Sequence, residues 1–347
     1  MSADEVATAV FVRTDSDGTT VVSPRVRGRA TIIDDVTTAD VAYAADVWTS
    51  ASIDVRTAAT RAVSEQRDEL DVSISRELDE TTVRTSYRLS VENDYTSNGG
   101  SIGATRGFAD NSSTVEARVS ASHDSVGRSG DLTFSRPLST VGARVAFTQV
   151  IDPETLVQGA YEIERREGYQ ASPYRFVGVG GDGDCAGTAQ LCLPEAHPSV
   201  RVRHALLVRA RRAFGDAFSV GASYRLYADD WGLLSHTLAA DVAYVASEHT
   251  TLHAAYRFYT QSSASFYLPR YPTPAGAIRL LSRDRELSAM SDHRVSVALE
   301  ESLDLSDAGP ALRLTLAGGF TYLAYSAFVG LDHVVAWDAT LAAAVEL

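Results

Sequence analysis

The sequence predicts an all-β protein: a single antiparallel transmembrane β-barrel of about 16 strands, spanning residues 1–347, with short turns at one end and long loops at the other. Three observations carry this. From Ser199 to Tyr227 two long alternating arms flank one tight turn. In the first arm Arg201, Arg203, Arg209 and Arg211 share one parity, while Val200, Val202, Leu206, Val208 and Ala210 share the other. After Ala213-Phe214-Gly215-Asp216-Ala217, Phe218, Val220, Ala222, Tyr224 and Leu226 oppose Ser219, Gly221, Ser223, Arg225 and Tyr227. The same unit recurs from end to end, unlike the short strands of a soluble sandwich. Finally, no run of 18 apolar residues exists, which excludes a helical membrane protein.

Composition narrows the class further. Hydrophobic residues make up 45%, as expected where lipid-facing side chains alternate with polar lumenal ones. The formal charge is −14 and all 31 basic residues are Arg, which reads as the codon preference of a GC-rich genome. No exposed basic tract is visible, so nucleic acid is not an expected partner. Cys185 and Cys192 share one polar loop, and in an oxidising compartment such a pair forms a local disulfide. Met1-Ser2-Ala3-Asp4-Glu5 leads directly into a strand-like run, so export implies that a leader has been removed ahead of it.

In chain order, strands are expected at Val6–Arg13, Thr20–Ile33, Thr38–Trp48, Arg67–Leu78, Val83–Tyr95, Gly100–Phe108, Thr114–His123, Val141–Ile151 and Leu156–Arg166. They continue through the opening hairpin, Leu234–Ser247, Leu252–Gln261, Arg294–Leu303, Leu312–Tyr325 and His333–Leu347. Val6–Arg13 and Gly100–Phe108 have the weakest alternation, and without them the count falls to 14. A looser segment occupies Ser50 to Thr60, and long loops run over 167–198 and 262–286. Tight turns near 34, 79, 110, 152, 215, 248 and 304–310 fall on one side and the long loops on the other, placing both termini at the short-turn end. In bacterial barrels short turns are periplasmic and long loops extracellular. From His333 to Leu347 the chain ends inside an amphipathic strand, the signal that barrel-assembly machinery reads, although Leu347 stands where an aromatic is usual.

Several stretches resemble a family of bacterial outer-membrane barrels catalogued as a domain of unknown function. They include Glu92-Asn93-Asp94-Tyr95-Thr96-Ser97, Gly168-Tyr169-Gln170-Ala171-Ser172-Pro173-Tyr174-Arg175, and the most specific, Tyr224-Arg225-Leu226-Tyr227-Ala228-Asp229-Asp230-Trp231-Gly232 with Ser235-His236-Thr237. Arg257-Phe258-Tyr259-Thr260-Gln261 with Phe266-Tyr267, Thr49-Ser50-Ala51-Ser52, and Leu281-Ser282-Arg283-Asp284-Arg285-Glu286-Leu287-Ser288 extend the resemblance over nearly the whole chain. It implies the outer membrane of a Gram-negative bacterium and a barrel fold, with no catalytic residues to carry over.

Candidate chemistry begins with the charges. Arg25, Arg27, Arg29, Arg84, Arg88, Arg118, Arg201, Arg203, Arg209, Arg211 and Arg225 are expected to face the lumen, with Glu92, Asp94, Glu116, Glu162, Glu164 and Asp241 as partners. An Arg facing lipid near the midplane would cost about 2 to 4 kcal/mol. Such a lumen is either an anion-favouring pore or a cross-strand ladder of ion pairs that fills the barrel. A second cluster, Asp229, Asp230, Trp231 and His236 with Arg257, Tyr259, Gln261 and Tyr267, falls near the long-loop rim. A cation or hydrolase site there is the sharper reading. A polar network anchoring the loop, with Trp231 at the lipid interface, is the plainer one, since Ser235 and His236 must point to opposite faces. Tyr95, Tyr161, Tyr169, Tyr244, Tyr256, Tyr322, Tyr325, Trp48 and Trp337 read as an interfacial girdle. Gly178-Val179-Gly180-Gly181-Asp182-Gly183-Asp184 lacks both a following helix and a calcium-loop Glu, so it reads as an exposed loop.

The expected function is a non-enzymatic, porin-like channel or conduit with an Arg-rich lumen, or a barrel housing a partner protein. The alternatives are a barrel-wall enzyme and a structural or adhesive surface protein with an occluded lumen. No cofactor or metal is expected. The expected partners are outer-membrane lipid and lipopolysaccharide, the assembly machinery, and a periplasmic or surface protein.

Overall fold

The computed structural model describes residues 4–33, 35–50, 63–273, 279–305 and 310–347. Sixteen antiparallel strands close into one barrel. The first nine are β1 (Glu5–Asp15), β2 (Thr19–Ile33), β3 (Thr37–Ser50), β4 (Val63–Leu78), β5 (Thr81–Val91), β6 (Tyr95–Phe108), β7 (Ser113–Gly127), β8 (Ser135–Asp152) and β9 (Thr155–Gly168). Outside the barrel, β10 (Phe176–Val179) and β11 (Leu191–Pro194) pair as a small hairpin within the longest connection. The wall resumes with β12 (Val200–Phe214), β13 (Phe218–Asp229), β14 (Leu234–Val245), β15 (Thr250–Gln261), β16 (Met290–Asp304), β17 (Ala311–Tyr325) and β18 (His333–Glu346). β18 pairs with β1 from Glu5↔Glu346 to Asp15↔Ala336, so the barrel wall itself has no open edge.

Each of the 16 expected segments forms a wall strand, including Val6–Arg13 and Gly100–Phe108. One boundary differs. The chain turns at 92–94, so Tyr95 opens β6 rather than ending β5. Asp94 accepts a backbone bond from Gly127 there, which fixes the turn. The expected looser segment lies outside the described residues from 51 to 60. Gly215, at φ 63, lets the two-strand turn between β12 and β13 close without steric cost. Gly168, at φ 134, is where the chain leaves the wall. A Cβ there would sit 2.2 Å from the Pro137 carbonyl oxygen.

Strand alternation sorts the side chains. Val141, Val297, Leu316 and Leu341 stand on the outer face and are each more than half exposed, an apolar band that hydrocarbon would cover. Above it, neighbouring strands pair outward polar rings: Tyr161 with His204 and Tyr224 with His236 at 2.7 Å, and Tyr256 with His293 at 2.8 Å. Trp337 also faces out, exposed by 59%. The girdle expectation fails at Tyr95, Trp48 and Tyr325. Tyr95 donates to Asp124 at 2.6 Å on the lumenal parity. Trp48 pairs in register with Val21 on the face that carries Asp46. Tyr325 is buried at the long-loop end. An arginine in the apolar band has no partner to desolvate against. Val297→Arg, mid-strand in β16, is expected to cost about 2 to 4 kcal/mol in urea unfolding from lipid vesicles.

Candidate functional site: a charged lumen beneath a folded loop cap

The inner parity of the wall strands is strongly charged. Arg27 and Arg29 both reach Asp40, and Arg67 pairs with Asp46. Arg25 lies 4.0 Å from Asp46. Arg88 binds Glu69 at 2.6 Å, and Arg144 bridges Glu116 at 2.6 Å and Glu162 at 3.2 Å. Glu164 is shared by Arg166 and Arg203 at 2.9 and 3.1 Å, and Arg211 pairs with Asp241. Arg225 is 3.8 Å from Glu162. Arg84 and Arg118 donate instead to the hydroxyls of Ser73 and Ser101, at 2.6 and 3.0 Å. Arg209 shares the inner parity of β12, and Glu92 lies in the β5–β6 turn. The carboxylates Asp40, Asp46, Glu69, Asp292 and Asp338 were not singled out from sequence, although each stands on the parity that carries its strand's or neighbour's arginine. Arg257 holds Asp292 at 2.9 Å, and Arg294 holds Asp338 at 2.5 Å.

The rim cluster divides. Asp229 is fully buried and accepts from Arg201 at 2.6 Å, from the Tyr227 hydroxyl at 2.7 Å, and from the amides of Trp231 and Leu233 at 3.1 and 3.0 Å. Asp230 accepts from the Val202 amide at 2.9 Å. Tyr259 donates to Gln261 at 2.5 Å, and Gln261 donates to the carbonyls of Glu286 and Ser288. His236 is not part of this network. It stands on the outer parity of β14 and bonds Tyr224. Trp231 is not at the lipid interface either. It is buried with Leu233, Tyr267, Leu287 and Phe328, and its indole N–H donates to the Val200 carbonyl at 2.8 Å. Arg201 stacks over its ring at 4.3 Å.

Those contacts belong to a cap that sequence periodicity could not reveal. Residues 169–199 fold against 262–273 and 279–289 of the second long connection, with Val177, Val179, Tyr271 and Leu281 forming a small core between them. Ala196 and Leu281 exchange backbone bonds at 3.0 Å in both directions. Further ties run to other connections. Arg285 reaches Asp17 at 2.9 Å, Arg283 the Val329 carbonyl at 3.1 Å, Arg128 the Pro173 carbonyl at 2.9 Å, and Tyr174 bonds Asp94. Cys185, in the loop that joins β10 to β11, is disulfide-bonded to Cys192 of β11.

The cap is pinned by Glu195, whose side chain is fully buried. It accepts from the Ser172 amide at 3.0 Å, the Ser282 hydroxyl at 2.7 Å and the Arg283 amide at 3.0 Å. Arg175 lies at 3.2 Å and the His197 ring at 3.3 Å. Burial pushes this carboxyl's pKa up, but the bond to His197 and the Arg175 guanidinium outweigh it, holding the value down at about 2. Ser282 and His197 are 3.0 Å apart, yet both are sealed from solvent, so the pair has no route to a substrate.

Exposure therefore falls along the lumen. The fall is one of the carboxylates: near the short turns Asp241 and Glu346 are 40% and 41% exposed, whereas Asp292 and Asp229 beneath the cap are 6% and 0%. Among the described residues, no group of His, Cys, Asp and Glu could hold a metal ion.

Comparison with solved structures shows the fold. A bacterial polysaccharide outer-membrane secretin superposes with a TM-score of 0.52 at 7% identity, covering 98% of this chain and 97% of that one. The siderophore receptor PirA from Pseudomonas aeruginosa gives 0.49 at 10% identity over 98% of this chain, which spans 61% of the receptor's length. The CymD monoaromatic hydrocarbon channel gives 0.46 at 10% identity, over 100% of this chain and 89% of the channel. No curated protein matches the chain. The model of one family matches residues 52–139 and 134–309, more than half of the chain, and so the chain belongs to the family described as "Protein of unknown function (DUF3570)".

Proposed function

We propose that this barrel is a non-catalytic outer-membrane conduit, open to solvent at its periplasmic, short-turn end and shut at its extracellular, long-loop end by the folded cap. The observation that carries the reading is the exposure gradient, since a purely structural plug would bury the lumenal charges at both ends. The arginines and carboxylates keep the lumen polar while pairing enough of it to hold the barrel's shape. Passage in this reading requires the cap to move, and the wall ladder closes strand to strand without it, so cap contacts can open while the barrel stays closed on itself.

Single-channel conductance in a planar bilayer tests it, with folding checked by heat modifiability. The wild type is expected to conduct rarely and in brief steps. Glu195→Ala, which unpins the cap, is expected to raise the open fraction at least tenfold. Unbroken closure in both folded proteins would overturn the conduit and leave a barrel that houses a partner or serves as a surface structure.

A further inference from the structure

Resting on the conduit reading, we propose that the chamber directly beneath the cap is a binding site for a small organic anion, a carboxylate or phosphate carried on a compact apolar body. The chamber has a volume of about 460 Å³, within the size range of small-molecule sites. Its wall carries Arg13, Arg201, Arg203 and Arg225, with the phenols of Tyr227 and Tyr259 between them. Leu233, Leu287 and Met290 supply the apolar side, just below the cap.

The charges do not balance within the chamber. Arg201 is neutralised by Asp229, but Arg203 shares Glu164 with Arg166. The Nε–H of Arg203 is buried without an acceptor, a rare and costly state for a charged donor. Among the described residues Arg225 has Glu162 as its carboxylate partner, at 3.8 Å, and that carboxylate already serves Arg144 at 3.2 Å. Arg13 has no ion-pair partner among the described residues, because Asp292 and Asp338 are held by Arg257 and Arg294. Asp284 and Glu286 also line the chamber, from the cap side, and Asp284 faces Arg175 at 3.2 Å. A bound carboxylate or phosphate would accept from the donors that the wall leaves over. Planar guanidinium groups suit such anions through paired N–H donors. A neutral solute gains less from the same arginines and a cation is repelled by them, while inorganic phosphate alone leaves the apolar side unused.

Equilibrium titration calorimetry on the full barrel in detergent tests this with four probes: benzoate, phenyl phosphate, benzamide and inorganic phosphate. Benzoate or phenyl phosphate is expected to bind at least tenfold more tightly than benzamide and than inorganic phosphate. Arg203→Gln with Arg225→Gln is expected to weaken that binding at least tenfold, and Arg209→Gln, outside the chamber, to leave it unchanged. Arg13→Gln repeats the test at a third chamber arginine, and heat modifiability confirms that each variant is folded before it is titrated. Equal affinity for benzoate and benzamide, or binding untouched by the chamber variants, overturns the site. A barrel that conducts without binding removes the site alone. One that binds but never conducts keeps the site and removes the conduit.

Discussion

Glu195→Ala is expected to loosen the cap by about 3 to 5 kcal/mol, the range found when one member of a buried, hydrogen-bonded ion pair is removed. The loss is large because three kinds of partner are stranded together: two backbone amides, the Ser282 hydroxyl, and the Arg175 guanidinium with the His197 ring beside it. Hydrogen exchange should report it at residues 169–198 and 279–289 while the wall strands stay protected, since the wall ladder makes no use of Glu195. The same carboxylate makes the cap acid-sensitive. Its folded value of about 2 lies below the ordinary 4.5, so its contribution is complete above pH 4.5 and disappears as pH falls toward 2. That depression corresponds to about 3 kcal/mol, in line with the mutational range. Cap protection should therefore fall between pH 4.5 and 2 in the wild type and stay flat over that window in Glu195→Ala. Equal acid sensitivity in the two would assign the cap's pinning to another group.

The wall was legible in the sequence because a barrel strand encodes its own faces. Arg201, Arg203, Arg209 and Arg211 on one parity and Val200, Val202, Leu206 and Val208 on the other leave one orientation that avoids arginine in hydrocarbon. The strand count followed from the repetition, and even the faint alternation of Gly100–Phe108 was sufficient once β5 and β7 required a strand between them. Turn boundaries were less legible. Tyr95 continues the alternation of β5, and only the backbone bonds of 92–94 reveal the reversal. The cap was not legible at all. Ser282 and Glu195 are 87 residues apart, in connections without periodicity, and their pairing depends on the barrel bringing those connections over one mouth. The same gap misplaced Trp231. Beside the membrane a tryptophan suggests the interface, and nothing local shows that Leu287 and Phe328 will bury it.

Asp229→Ala is expected to be the most damaging single change in the wall itself, costing about 3 to 5 kcal/mol in vesicle unfolding. Asp229 ends β13, and its two oxygens divide the work. Oδ2 takes Arg201 and the Tyr227 hydroxyl, while Oδ1 takes the amides of Trp231 and Leu233 that form the connection to β14. Alanine strands the charge and the turn together. Asparagine separates them, because its amide oxygen can still receive the two turn amides while its NH2 group faces Arg201 as a donor against a donor. Asp229→Asn should thus keep the turn but release Arg201 from its place over Trp231, which tryptophan fluorescence and near-UV dichroism would register. The expected order of stability is wild type, then Asn, then Ala. If Asn proved as damaging as Ala, the turn amides would contribute nothing and the Arg201 charge would account for the whole effect. If Asn matched the wild type, Arg201 would be held by its stacking on Trp231, and the ion pair at 2.6 Å would be incidental to the fold.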